Sequence, residues 1–406
     1  MIDPSIGYAE QLRRRADALA TLCVHAGEPP GEDGSLDPPI VMSSAFAFES
    51  AEHAARAFRG EDDAWIYGRW GNPTVSALEA KLAALEGAAA ACATASGMAA
   101  ISGAVLATCA AGDHVVAPRS MYAESARLFR ERLPKLGIQT TFVDGDAGAY
   151  AAAMTPRTRI LYVETPSNPT LGVIDVGAIA ALARGAAARP LVVVDGTFAT
   201  PFAQAPLAHG ADLVVHSMTK GIGGHGDVIG GAVVGGAELV GAVRDTVIKG
   251  FGGVLSPLSA WLVARGLRTF ALRQERACAT AAALAAHLAA HPRVVRVHHP
   301  SLSSHPGHAV AARQMFAYGA LLSFEVGSDD DALARGRAVL ESLRVATHAV
   351  SLGDVRTLVV HPASTTHSTM PPETRRLAGI ADGLLRVSCG LEGTADLIAD
   401  FDRALG

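Results

Sequence analysis

A lysine set among hydroxyls at the end of an apolar run can do chemistry that a solvated lysine cannot. Lys220 closes the stretch DLVVHSMTK, with Ser217 and Thr219 beside it. Asp195 closes LVVVD, Asn168 follows the run LYVE, and Ser96, Gly97 and Met98 stand in TASGM just before a helical pattern. In open parallel sheets, ligands bind outside the carboxyl ends of the strands, which is where these residues would lie. The amine can join an aldehyde as an imine. The hydroxyls and a helix N-terminus can hold a dianionic phosphate, and a buried Asp can hold a protonated ring nitrogen. Each feature alone is common. Together they are what pyridoxal phosphate requires.

Other chemistries fit less well. Gly221, Gly223 and Gly226 in GIGGHG match the spacing of a dinucleotide loop, but that fingerprint needs a helix after the glycines. Here DVIGGAVVGG follows, which is β-branched and strand-like. No HExxH and no GxSxG occurs, so neither a metal site nor a serine hydrolase is expected. His298, His299, His305 and His308 stand among Pro and Ser and read as an exposed loop. His216 and His225 flank Lys220 and read as packing or supporting hydrogen bonds. The five cysteines (Cys23, Cys92, Cys109, Cys278 and Cys389) are odd in number and include no CxxC. That argues against a disulfide framework or zinc knuckle and points to a reducing cytoplasm. The formal net charge of −5 offers no basic excess for nucleic acid.

The elements that must position these residues follow from pattern. A chain of 406 residues suggests two to three domains. Residues 1–65 look irregular: GEPPGEDGSLDPPI holds four Pro and three Gly, and the segment reads as an arm reaching over a neighbouring subunit. PTVSALEAKLAALEG reads as a helix with Pro at its start and Gly past its end. HVVAP, TTFVD, RILYVET, PLVVVD and DLVVHS then alternate with YAESARLFRERLPKLG, AYAAAM and VGAIAALARGAAA. That alternation predicts βαβ units, a mostly parallel sheet and α/β class, over residues 66–265. The 26 uncharged residues between Glu86 and Asp113 are long enough to span a bilayer. They are mostly small, so a buried helix with a polar first turn is expected, with no membrane partner. The helical stretch after Ser256 is too long for one helix and should break near Gly266 or later. Residues 266–406 mix VVRVHH, ALLSFEV and LLRVSCG with amphipathic helices, a smaller α+β domain.

With these residues in view, the chain resembles the Cys/Met-metabolism group of pyridoxal-phosphate enzymes. The likeness runs from LCVHAGE at 22–28 to LLRVSCGLE at 384–392. It is densest in YGRWGNPT, TASGMAA, VETPSNPTLGV, VVVDGTFATP, VVHSMTKGIGGHGDVIGG and SLGDVRTLVVHPASTTHS. The resemblance implies the aspartate-aminotransferase-like fold type I, with a seven-stranded-type sheet in the large domain. It implies that Lys220 carries the cofactor and shuttles protons, and that Asp195 pairs with the ring nitrogen. Tyr122 would stack on the ring and act as acid or base. Ser96, Gly97, Met98, Ser217 and Thr219 would hold the phosphate, and Asn168 would sit near the phenolic oxygen. Tyr67 and Arg69 would reach the phosphate in a neighbouring subunit's site, with Tyr67 also near substrate. Arg386 would clamp the substrate carboxylate, helped by Ser351. The family precedent is a homotetramer of two dimers with shared sites, acting on a small amino-acid substrate.

The position before SLG is Val350, where cystathionine-handling members are expected to carry Glu. Val cannot meet a distal ammonium, and an uncharged thioether tail suits it better. The resemblance therefore favours γ-elimination of methionine or homocysteine. The alternatives are an O-acetyl- or O-succinylhomoserine sulfhydrylase, or a cystathionine synthase or lyase. Three departures stand against the methionine-lyase pattern: Glu124 for Cys, Gly196 for Asn, and Ile248 with Lys249 for a Lys-Asp pair. Glu124 and Lys249 are expected to lie close together as a replacement charge pair.

Overall fold

The computed structural model describes residues 2–28, 31, 34–328 and 330–406. Pro29, Pro30, Glu32 and Asp33, which contributed to the irregular reading of the N-terminal segment, lie outside the described residues. Twelve strands form two sheets among the described residues. The large sheet holds β1 Ala90–Thr94, β2 His114–Pro118, β3 Gln139–Val143, β4 Thr158–Glu164, β5 Leu191–Asp195, β6 Leu213–Ser217 and β7 Gly231–Gly235. Their order is β1-β7-β6-β5-β4-β2-β3. Only β7 runs against its neighbours β1 and β6; the other pairs are parallel. The small sheet holds β8 Val294–His298, β9 Leu321–Val326, β10 Thr347–His348, β11 Leu358–Val360 and β12 Leu384–Ser388, in the order β10-β11-β12-β9-β8.

The central strands read as continuous apolar runs because both faces are covered. Val192, Val193 and Val194 of β5 are all buried. Alternate residues serve opposite layers: Val193 packs with Leu213 and Val215, Val194 with Val176 and Ile179. As expected, GIGGHG is followed by a strand, β7. The long helical stretch is split into Pro257–Leu267 and Phe270–Ala289. No described helix is long and apolar enough to cross a membrane.

Three expectations are corrected. The N-terminal segment is not irregular throughout: α1 spans Tyr8–His25 and α2 spans Ala51–Phe58. In α1 the buried residues Leu12, Ala16, Leu19 and Cys23 recur at helical spacing. The stripe joins a core shared with Ala271, Ala277 and Cys278 of the helix Phe270–Ala289, so α1 packs on its own chain. It is tied there by Lys81, fully buried on α3 (Pro73–Glu86), whose Nζ donates to Cys23 O at 2.8 Å and meets Glu28 at 2.6 Å. The uncharged run after Glu86 is not one helix. It forms β1 and then α4, Gly97–Leu106, because Ser96 caps α4 by accepting the Ala99 N–H at 3.2 Å. The histidine loop is not exposed: His298, His299 and His305 are buried. Burial pushes His299 and His305 down to about 4.

Candidate active site

Three strand ends converge on a cavity of about 310 Å³. β4 ends in Glu164 and β5 in Asp195, which are register partners. Both carboxyls are buried. Asp195 Oδ1 accepts the Thr197 N–H at 2.9 Å, and Oδ2 accepts the Tyr162 hydroxyl at 3.3 Å. Burial pushes the Asp195 carboxyl up, while the bonds from Thr197 pull against it. Burial and then the Asp195 charge push Glu164 up to about 8. Two buried carboxyls side by side disfavour double ionisation, so a cation opposite Asp195 would be stabilised strongly.

β6 delivers the lysine. Lys220 lies in the turn after Ser217, and its Nζ donates to Ser351 Oγ at 3.1 Å. Burial first, and the nearby Arg386 cation second, lower its amine below the ordinary lysine value. That shift favours the neutral amine that carbonyl chemistry needs. Arg386 comes from the small sheet, in β12, paired with Val360 and Ser323. Its Nη1 donates to Asn168 Oδ1 and its Nη2 to Ser351 O, each at 2.9 Å. Nε is buried without a partner, and burial pushes the guanidinium down to about 10. Among the described residues no carboxylate pairs with it. A buried guanidinium held only by neutral acceptors is built to receive an anion.

One end of the cavity is formed by α4 and the loop after β6. Among the described residues the N–H groups of Gly97 and Met98 find no protein acceptor. They are free for an anion at a helix N-terminus. A Cβ at Gly97 would lie 2.8 Å from the Cβ of Ser217, so only glycine lets the helix start this close to β6. Thr219 is fixed by bonds to Gly230: its Oγ1 donates to the carbonyl at 3.3 Å and accepts the N–H at 3.1 Å. Tyr122, 42 % exposed, precedes a short helix at the cavity. Its phenol is pushed up by burial, then by Glu124 and Glu164, and so stays protonated at neutral pH.

The structure thus gathers Ser96, Gly97, Met98, Tyr122, Asn168, Asp195, Ser217, Thr219, Lys220, Val350, Ser351 and Arg386 around one cavity. Tyr67 and Arg69 do not line it. Tyr67 is 42 % exposed, Arg69 stacks over its ring at 5.5 Å, and the Arg69 Nη1 donates to the Lys249 carbonyl. The expected Glu124–Lys249 pair does not form within the chain. Glu124 lies 4.0 Å from Arg127, and Lys249 pairs with Asp245 at 2.8 Å. Each finds an opposite charge three or four residues away on its own helical turn, a nearer partner than any across the chain. Gly196 has a local reason. A Cβ there would lie 2.8 Å from Cε1 of His216, whose Nε2 meets Glu86 Oε1 at 2.5 Å in the core.

Glu164, Tyr162 and Phe198 were missed by the sequence reading. Glu164 carried a usable signal, since it ends an apolar strand just as Asp195 does. Tyr162 and Phe198 carried none beyond apolar character.

The cavity gathers an amine, a buried acid, free N–H groups at a helix start and a guanidinium without a carboxylate partner among the described residues, and this donor set fits pyridoxal phosphate. Comparison with known proteins agrees. The model of the family described as "Cys/Met metabolism PLP-dependent enzyme" matches residues 20–406. The chain is 45 % identical over 389 residues to an L-methionine gamma-lyase of Fusobacterium nucleatum subsp. polymorphum, covering 95 % of this chain and 98 % of that one. It is 42 % identical over 369 residues to an O-succinylhomoserine sulfhydrylase of Mycobacterium tuberculosis, covering 90 % of each. The crystal structure of metB from Corynebacterium glutamicum superposes with a TM-score of 0.88 at 36 % identity, over 99 % of both chains. The fold is the type I fold of pyridoxal-phosphate enzymes, the cofactor is pyridoxal phosphate, and the chain belongs to the Cys/Met-metabolism family of PLP-dependent enzymes.

Proposed function

We propose that this enzyme acts at the γ-carbon of an amino acid whose γ-substituent carries no distal ammonium. The observation that carries the reading is Arg386, a buried guanidinium without a carboxylate partner among the described residues, in the same cavity as the Lys220 amine. It is placed to take an α-carboxylate and orient the rest of the substrate past Lys220. Val350 and Ile229 are both exposed to more than half and line the cavity. Of the carboxylates lining it, Glu164 and Asp195 are buried and already hydrogen-bonded. A distal ammonium would therefore meet apolar walls.

Bound here, pyridoxal phosphate supplies an electron sink that stabilises negative charge at the substrate's α- and β-carbons. Ser96, Gly97, Met98, Ser217 and Thr219 would hold its phosphate, Asp195 its ring nitrogen and Asn168 its phenolic edge. Lys220 Nζ moves protons at Cα and Cβ, and Ser351 Oγ orients that amine. The protonated Tyr122 phenol gives its proton to the departing γ-group. Tyr67 and Arg69, turned away from their own cavity, would complete the site of a second copy, which makes the working unit at least a dimer and, by family precedent, a tetramer.

Two outcomes share these steps. Elimination from methionine or homocysteine is supported by Val350 and by relatives named methionine gamma-lyase. Replacement on an O-acylhomoserine by a sulfur nucleophile has firmer support. Relatives named O-succinylhomoserine sulfhydrylase are nearly as similar, and the matching crystal structure is of metB. The purified enzyme should be given methionine, homocysteine, cystathionine and O-acetylhomoserine, each with and without thiol, and assayed for oxo-acid and thioether. Thioether from O-acetylhomoserine and thiol supports replacement, and oxo-acid from methionine alone supports elimination. Preference for cystathionine over all others would refute the reading of a tail without a distal ammonium.

A further inference from the structure

Glu164 has no part in the chemistry above, yet both of its carboxyl oxygens are bonded within the site. It is 4 % exposed, and each of its oxygens is committed. Oε2 accepts the backbone N–H of Tyr122 at 2.8 Å, from a loop 42 residues away. Oε1 accepts the backbone N–H of Asn168 at 2.9 Å. Tyr122 and Asn168 belong to the separate loops after β2 and β4, and both line the cavity. The chain of contacts continues, because Asn168 Oδ1 accepts from Arg386 Nη1 at 2.9 Å. Two N–H donors need two acceptors. A carboxyl supplies them whether or not it carries its proton, because both oxygens keep acceptor capacity, and a glutamine amide would turn an NH₂ toward one of the donors.

We infer that Glu164 is a positioning residue for the reaction: its carboxyl clamps the Tyr122 and Asn168 loops together, fixing the phenol and, through Asn168, the substrate-binding guanidinium. The inference rests on the reading that Tyr122 and Asn168 face the cofactor and substrate. It assigns Glu164 no contact with either.

The test is a double-mutant cycle on the holoenzyme, with Glu164→Gln, Tyr122→Phe and both together, read by kcat, KM and the circular dichroism of the bound cofactor's visible band. Glu164→Gln should lower kcat about 10-fold, the scale of one lost buried hydrogen bond, and weaken the dichroic band. The two substitutions together should cost clearly less than the product of their separate effects, because Glu164 acts through Tyr122. Glu164→Asp, which keeps two acceptor oxygens, should recover part of both signals. If Glu164→Gln does not yield holoenzyme, the same cycle is run with Glu164→Asp and carries the decision. Additive losses, or an unchanged kcat and dichroism beside an impaired Tyr122→Phe, would overturn the clamp and leave the site reading standing. An unimpaired Tyr122→Phe would instead overturn the site reading on which the clamp depends.

Discussion

Arg386 shows how much a single residue's surroundings decide. Its fork is already half used on Asn168 and on the Ser351 carbonyl, so under the proposed function a carboxylate bound there would have to match a planar donor edge. Lysine keeps the charge but not the fork. Arg386→Lys is predicted to raise KM for the amino-acid substrate by about 100-fold, since a charge-assisted bidentate pair is lost, while cofactor absorbance stays unchanged. Steady-state kinetics beside the holoenzyme spectrum would show it. Lys220 and Asp195 could be picked out as candidates because each ends an apolar run where a charge has no structural reason to be, whereas Arg386 was offered only through the family resemblance. Glu164 ends β4 in the same way but was passed over, because its partners are backbone N–H groups that no side-chain pattern reveals. The expected Glu124–Lys249 pair is absent within the chain, where each has an opposite charge three or four residues away.

Elements carry these residues into place, and one close approach between two of them is at Gly97. The first turn of α4 lies against Ser217 so tightly that an added methyl would sit 2.8 Å from the serine Cβ. Gly97→Ala should push the helix N-terminus off β6, weaken pyridoxal-phosphate binding at least about 10-fold through loss of oriented N–H donors, and lower thermal stability modestly. Titrating the cofactor-free protein with pyridoxal phosphate measures the first effect. Most strands of the large sheet could be read directly, since double burial writes them as β-branched runs. Among the elements that could not are β1 and α1. β1 is the Ala- and Cys-rich AACAT, whose pairing with β7 overrides weak propensity. In α1 the sequence LRRRAD masks a stripe of only four apolar contacts, and its partner helix begins more than two hundred residues later.

At the scale of the whole molecule, the buried ionisable groups set how stability follows pH. His299, His305 and His367 are each held down to about 4 by burial. The unfolded chain therefore binds more protons than the folded one between about pH 4 and 6.5, and stability rises with pH there. Glu164, pushed up to about 8, has the opposite sign. Above its unfolded value near 4.5 the folded chain holds the extra proton, so stability falls with rising pH until about 8. Above pH 6.5 the histidines no longer offset it. The cofactor-free protein should melt at a lower temperature at pH 8 than at pH 6.5, and Glu164→Gln should remove most of that difference. A melting temperature that rises over this window would refute the assignment.

Assembly gives a second test at this scale. If Arg69 completes a neighbour's site, mixing two inactive variants, Arg69→Ala and Lys220→Ala, under conditions that exchange subunits should restore part of the activity. No recovery, with exchange verified by mass, would place Arg69 outside the shared site.

The central claim is the bond between the cofactor aldehyde and the Lys220 amine. The most direct measurement is borohydride reduction of the purified enzyme, followed by proteolysis and peptide mass spectrometry. The account predicts loss of the near-violet absorbance and a pyridoxyl group fixed on the peptide containing Lys220. A pyridoxyl group on another lysine such as Lys249, or none on the reduced protein, would contradict it.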